Sequence, residues 1–219
     1  AEPLAEIAQV TDLDVDPSGQ MFASAWEGAG FKGNDSKGYL VRLTPKGWKP
    51  AKFPPVATMD VPALVDLIKS ASATTRFYAQ QEILARSLSP ASVKPLLDLL
   101  IQEKPLPLES RVAALFTLAQ IESDPAKLLA YAKDEALCEF ALRAATDRLP
   151  RLKTTTLPLD PFIQALQNGT PRQQAVAAIS LGRIGNPMAA KTLLEVPFYK
   201  PTDKSASQVT DSFNLKGGR

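Results

Sequence analysis

The chain has 219 residues, with 25 Lys and Arg against 23 Asp and Glu, no histidine and one cysteine. A net charge of +2 gives no basic footprint for nucleic acid or a membrane surface, and no apolar run reaches the roughly 18 to 20 residues that span a bilayer. The absence of histidine excludes Ser-His-Asp and Cys-His nucleophiles, His-based zinc sites and CxxCH haem attachment, and Cys138 alone can form neither an internal disulfide nor a thiolate cluster.

The chain opens at Ala1 without a Met, as expected of a processed product or a cut fragment. Its first fifty residues read as β structure. From Val10 to Val15, apolar Val10, Leu13 and Val15 are mixed with Thr11, Asp12 and Asp14, a strand pattern. Asp16-Pro17-Ser18-Gly19 has turn chemistry, with Pro setting φ and Gly free to take positive φ. Met21–Trp26 is a second short strand. The stretch from Gly28 to Gly38 holds Gly30, Gly33, Asn34, Asp35 and Ser36 and reads as an exposed loop. Tyr39–Leu43 is a third strand, ended by Thr44-Pro45-Lys46-Gly47, and Trp48–Pro55 is a Pro-rich connector.

Beyond the connector the apolar period changes from two to about 3.6. Asp60 caps a helix with Pro62 in its first turn, and Leu64, Val65 and Ile68 share one face. A second helix is expected from about Thr74 to Leu88, burying Phe77, Ile83 and Leu84. The same start device recurs at Ser89-Pro90, Asp124-Pro125, Asp160-Pro161, Thr170-Pro171 and Asn186-Pro187, each a capping residue before a proline. The stripes that follow are Val93, Leu96, Leu97 and Leu100; then Leu128, Leu129 and Ala132; then Ile163 and Leu166; then Ala175, Ala178, Ile179 and Gly182. Between them lie Val112, Leu115, Phe116 and Ala119, and Leu137, Cys138, Ala141 and Leu142. Pro95 falls inside a helix, where it predicts a bend.

These patterns predict about nine short helices in pairs, with pair starts roughly 26 to 36 residues apart. The run from Arg111 to Ile121 also lines up with that from Gln174 to Ile184. The expected fold is therefore mainly α: a HEAT-like α-α superhelix, or solenoid, behind a short N-terminal antiparallel β segment. The expected organisation is a β segment over 1–53, helical repeats over 54–200 and a polar tail or loop over 201–219.

The run Val10-Thr-Asp-Leu-Asp-Val-Asp-Pro-Ser-Gly-Gln-Met-Phe-Ala-Ser-Ala-Trp26, the Gly-rich loop and Gly38-Tyr-Leu-Val-Arg-Leu-Thr-Pro45 together resemble the last blade of a quinoprotein-type β-propeller. Arg76-Phe-Tyr-Ala-Gln-Gln-Glu-Ile-Leu-Ala-Arg86 is similar to the first HEAT-like repeat that follows the propeller in sorbosone (sugar) dehydrogenase-like proteins of planctomycetes and verrucomicrobia. The resemblance covers about residues 8–195. It implies a C-terminal part of an exported, periplasmic oxidoreductase whose quinone and metal ligands lie in upstream blades. No cofactor residue carries over to this chain.

Other residues invite specific chemistry. Asp12, Asp14 and Asp16 suggest calcium, but an EF-hand loop starting at Asp12 requires Gly and Glu where Pro17 and Ala23 stand. Gly28, Gly30 and Gly33 lack the G-x-G-x-x-G spacing of a phosphate loop. Cys138 lies on an apolar helix stripe with no base to activate it. Glu82, Glu109 and Asp147 could serve as acid and base only if folding brought them together. Arg76, Arg111, Arg143, Arg172 and Arg183 fall on second helices and form a candidate partner-binding row. The alternative is an ordinary charged surface with buried stems.

No catalytic, cofactor or metal residue is assigned. The expected function is a non-catalytic interaction or structural module that docks on an upstream propeller domain or another protein chain, without nucleic acid or membrane insertion. The alternative is the C-terminal fragment of a quinone-dependent sugar or alcohol dehydrogenase. A third reading is an adaptor that binds peptide or an anionic ligand along the arginine row.

Overall fold

The stretches of period two form an antiparallel meander in the computed structural model, which describes residues 6–28, 37–86, 88–149 and 156–195. Strands β1 (Val10–Val15), β2 (Met21–Trp26) and β3 (Gly38–Leu43) lie in the order β1-β2-β3. The turn between β1 and β2 is built by Asp16. Its carboxylate accepts hydrogen bonds from the Ser18 hydroxyl at 2.7 Å, the Ser18 amide at 2.8 Å and the Gln20 amide at 3.0 Å. Gly19 takes the positive φ of +88° that closes the turn.

The register divides the sheet into two unlike faces. Val10, Ala25 and Tyr39 stand abreast, as do Leu13, Ala23 and Val41, and Val15, Met21 and Leu43. This face is apolar throughout. An irregularity between Val10 and Asp12 supplies the one-residue shift that puts Val10 on the same side as Leu13. The opposite face is mixed: Asp12, Ser24 and Leu40 form one row, and Asp14, Phe22 and Arg42 the next. Of the apolar strand residues only Ala23 and Ala25 are buried, while Val10 is 48% and Leu13 52% exposed.

Beyond the sheet and an irregular connector with a short 3-10 turn at Val56–Thr58, the described chain is mainly helical: α1 (Val61–Leu67), α2 (Ala73–Ala85), α3 (Pro90–Gln102), α4 (Leu108–Ile121), α5 (Cys138–Asp147), α6 (Asp160–Asn168), α7 (Pro171–Ile184) and α8 (Pro187–Glu195). The run after Asp124, Pro125–Lys133, is a 3-10 segment rather than an α-helix. Most of the expected starts are capped. Asp60 accepts from the Ala63 amide, Asp124 from Ala126 and Asn186 from Ala189, and Thr170 forms a capping box with Gln173. Two starts differ. Ser89 makes no side-chain cap, its carbonyl instead accepting from the amide and hydroxyl of Ser92. Asp160 lies inside α6, because the Leu159 carbonyl already takes the Phe162 and Ile163 amides. Helix α3 runs through Pro95, which is exposed.

Consecutive segments pack in pairs: α1 on α2, α3 on α4, the 3-10 segment on α5, and α6 on α7. The second members also touch in chain order, α2 with α4, α4 with α5 and α5 with α7. One apolar core results, with Leu64, Ile68, Ile83, Leu97, Leu115, Leu142, Phe162 and Leu181 fully buried, and it includes no residue of the sheet.

Two stripes are rotated from their expected positions. In α2, Phe77 and Leu84 are exposed, and Thr75, Ala79 and Ile83 are buried. Gln80 fixes this rotation by donating to the Ala113 carbonyl at 2.8 Å and to Thr117 Oγ1 at 2.9 Å. In α7, Ala175, Ile179 and Gly182 are exposed and Ala178 only half-buried; Gln173, Ala177, Ser180 and Leu181 are buried instead. Ser180 meets Thr146 of α5 at 3.1 Å, so a polar pair occupies the place the apolar pattern gave to Ile179.

Candidate functional site

The five arginines of the expected row do very different things. Arg76 donates to the Ser70 and Ala71 carbonyls just past α1, at 2.7 and 3.1 Å. Arg111 is buried: its Nε donates to the Ile101 carbonyl near the end of α3 at 2.8 Å, and it pairs with Asp134 at 2.5 Å. Hydrogen bonding from Arg111 holds the Asp134 carboxyl below its ordinary range. Arg172 forks onto both oxygens of Glu139, at 3.0 and 2.7 Å. Arg143 and Arg183 converge on one acid, Asp147, from α5 and α7. The guanidinium of Arg143 also lies 5.6 Å from the centre of the Phe116 ring on α4.

The row is thus not a continuous basic track. Arg111 is a structural strut, and Arg76 serves carbonyls in the link between α1 and α2. Arg143, Arg172 and Arg183 lie on the neighbouring helices α5 and α7 and share two carboxylates.

Two further arginines have a related job that the sequence reading did not single out. Arg86, at the end of α2, bonds the Met59, Val56 and Ala57 carbonyls and pairs with Glu82. Arg148, at the end of α5, bonds the Ala119 and Gln120 carbonyls at the end of α4, at 2.6 and 2.8 Å. The signal in the sequence is an arginine within the last turn or the cap of α2, α5 and α7: Arg86, Arg148 and Arg183. Lys94 of α3 and Glu122 at the end of α4 form another link, at 2.8 Å. Burial raises the Glu122 carboxyl, but bonds from Lys94 and the Asp124 amide outweigh it and leave the group below its ordinary value.

The remaining candidates are not assembled into sites. Asp12 and Asp14 accept from the next residue's amide, at 2.8 and 2.7 Å, and Asp16 is committed to its turn. Gly28 has φ +131°, whereas Gly30 and Gly33 lie outside the described residues, as does the stretch 201–219. Cys138 is half-buried; burial and then Glu139 push its thiol up, away from thiolate chemistry. Glu82, Glu109 and Asp147 stand on three separate helices, with Glu82 held by Arg86 and Asp147 by two arginines. Comparison of the chain with protein-family models, curated proteins and solved structures finds no match.

Proposed function

We propose that this chain is a non-catalytic docking module: a HEAT-like helical stack that carries a β segment onto a partner protein or an upstream β-propeller. The observation that carries the reading is the apolar face of the sheet. Nine strand positions on that face are apolar by register, from Val10 to Leu43, yet none belongs to the helical core. Among the described residues, Val10, Leu13 and Tyr39 of that face are exposed and Val15, Met21, Val41 and Leu43 only half-buried, and a lone three-stranded sheet is at the lower limit of independent stability and prone to association. A second apolar layer packed on it, about 10 Å away, would resolve both problems.

The pairwise packing of successive helices and the contacts between their second members support the solenoid part of this reading. So do the cross-links at each step: Gln80 to α4, Arg148 to the end of α4, and Thr146 to Ser180.

The test uses the 219-residue chain alone. Docking predicts concentration-dependent self-association by light scattering and binding of an apolar-surface dye, both abolished by Val41→Asp. A chain that stays monomeric and dye-silent at high micromolar concentration would sink the proposal.

A further inference from the structure

Of the ion pairs that the described residues of the second-helix row make, one carries positive charge in excess. Arg172 is cancelled by Glu139, and Arg111 by Asp134. At Asp147, by contrast, one carboxylate is shared by two guanidinium groups. Arg183 alone is enough to bridge α7 to α5. Arg143 comes from the same helix as Asp147, bonds it through Nε at 3.1 Å, and adds no link between helices. An exposed pair of this kind contributes little to stability, and the Arg143 side chain is 59% exposed. Among the described residues its two terminal nitrogens make no hydrogen bond. Phe116 lies beside the guanidinium, so the fork is held without being used.

Apolar side chains stand at the two ends of the Arg143, Asp147 and Arg183 cluster. Phe116 of α4 is half-buried next to Arg143, and Ile179 of α7, one turn before Arg183, is 56% exposed. We infer that Arg143, Asp147 and Arg183, with Phe116 and Ile179 on either side, form a docking site for an acidic peptide segment of a partner protein, in which a carboxylate neighbours an apolar residue. The net charge of the cluster is one positive unit, which complements one carboxylate. A guanidinium fork binds a carboxylate through two parallel bonds. Because Asp147 and Phe116 already hold Arg143, little ordering is left to be done on binding. The site is on helices and separate from the sheet face, so either proposal can fail without the other.

The test titrates the 219-residue chain, labelled with nitrogen-15, with the blocked peptide Ser-Leu-Glu-Leu-Ser and its Gln-for-Glu twin. The Glu peptide should saturate and shift amides around Phe116, Arg143 and Ile179, binding about five-fold more tightly than the Gln peptide. The preference should shrink in high salt. Arg143→Gln should erase the preference without changing the melting temperature. Ile179→Ser should weaken both peptides alike, which separates the apolar contribution from the charged one. Equal binding of the two peptides, an Arg143→Gln protein that keeps the preference, shifts confined to other helices, or no saturation at millimolar peptide would each overturn the proposal. So would tighter binding of the phosphoserine analogue than of the Glu peptide.

Discussion

The helical region and the sheet begin from equally clear periodic patterns and reach opposite results. In the helices most of the apolar stripe finds a neighbour in the same chain, and Phe162, Leu64, Ile68 and Ile83 are among the side chains that are wholly buried. In the sheet the apolar face is just as continuous, but only the two central alanines are buried, with Val15, Met21, Val41 and Leu43 half-buried and Val10, Leu13 and Tyr39 exposed. Among the described residues, few contacts tie the two regions together. The Ala51 amide bonds the Ser18 carbonyl at 3.1 Å, and Phe53 of the connector meets Tyr78 of α2 edge to face, with ring centres 5.1 Å apart. Periodicity therefore identifies which face is apolar, while contacts decide whether the chain covers that face itself.

The contrast is broken most directly in the helical core. Phe162 is fully buried in α6, and Phe162→Ala should cost about 3–5 kcal/mol through lost burial and the cavity left behind. Urea unfolding followed by circular dichroism measures this. A loss below about 1 kcal/mol would mean that α6 and α7 do not share one cooperative core with the helices before them.

Next in size is the Arg111 strut. Arg111→Met leaves the Ile101 carbonyl without its donor and Asp134 without its guanidinium. Asp134 is partly solvated, so the expected loss is about 2–3 kcal/mol, below the full cost of breaking a buried pair. The strut also gives stability a pH dependence with a definite sign. The folded carboxyl of Asp134 titrates below its ordinary value of 3.8. Its contribution is thus complete above that value and is lost as pH falls through the lower, folded one. Unfolding midpoints compared at pH 7 and pH 3 should fall for the native chain, and fall less for Asp134→Asn.

Arg111 also marks what the sequence could and could not disclose. The three strands, their turn and most helix starts were legible, because Asp16-Pro-Ser-Gly and the Thr170-Pro and Asn186-Pro steps act through local hydrogen bonds. The rotation of α2 and α7 was not legible. It is set by Gln80 reaching α4 and by Ser180 meeting Thr146, polar contacts between residues more than thirty positions apart. The pairing of the arginine row was not legible for the same reason. Spacing placed five arginines on second helices, but their partners Asp134, Glu139 and Asp147 are chosen by packing.

A smaller effect tests the local half of that distinction. Thr170 and Gln173 cap α7 reciprocally, with the Thr170 amide bonding the Gln173 side chain at 2.8 Å. Thr170→Ala should cost about 1 kcal/mol. Hydrogen exchange should locate the loss in the first turn of α7. Because Gln173 also donates to the Glu135 carbonyl at 3.2 Å, Gln173→Ala should cost more than Thr170→Ala. Equal costs would mean that the cap alone matters there.

The smallest change in stability is expected on the sheet, where it sharpens the comparison most. Leu13 is 52% exposed on the apolar face, and Leu40, at 69%, is more exposed but lies on the mixed face between Ser24 and the open edge of the sheet. Neither Leu13→Ser nor Leu40→Ser should alter stability by more than about 0.5 kcal/mol, as neither site is packed. Their effects on association should differ. Leu13 stands beside Ala23 and Val41 in a continuous apolar row, so its replacement interrupts the surface a partner layer would cover. Leu40 shares its row with Asp12 and Ser24, so its replacement interrupts nothing. Light scattering across a concentration series should show weaker association for Leu13→Ser and unchanged association for Leu40→Ser. If the two behave alike, exposure of single leucines governs association, and the register of the sheet has no part in it.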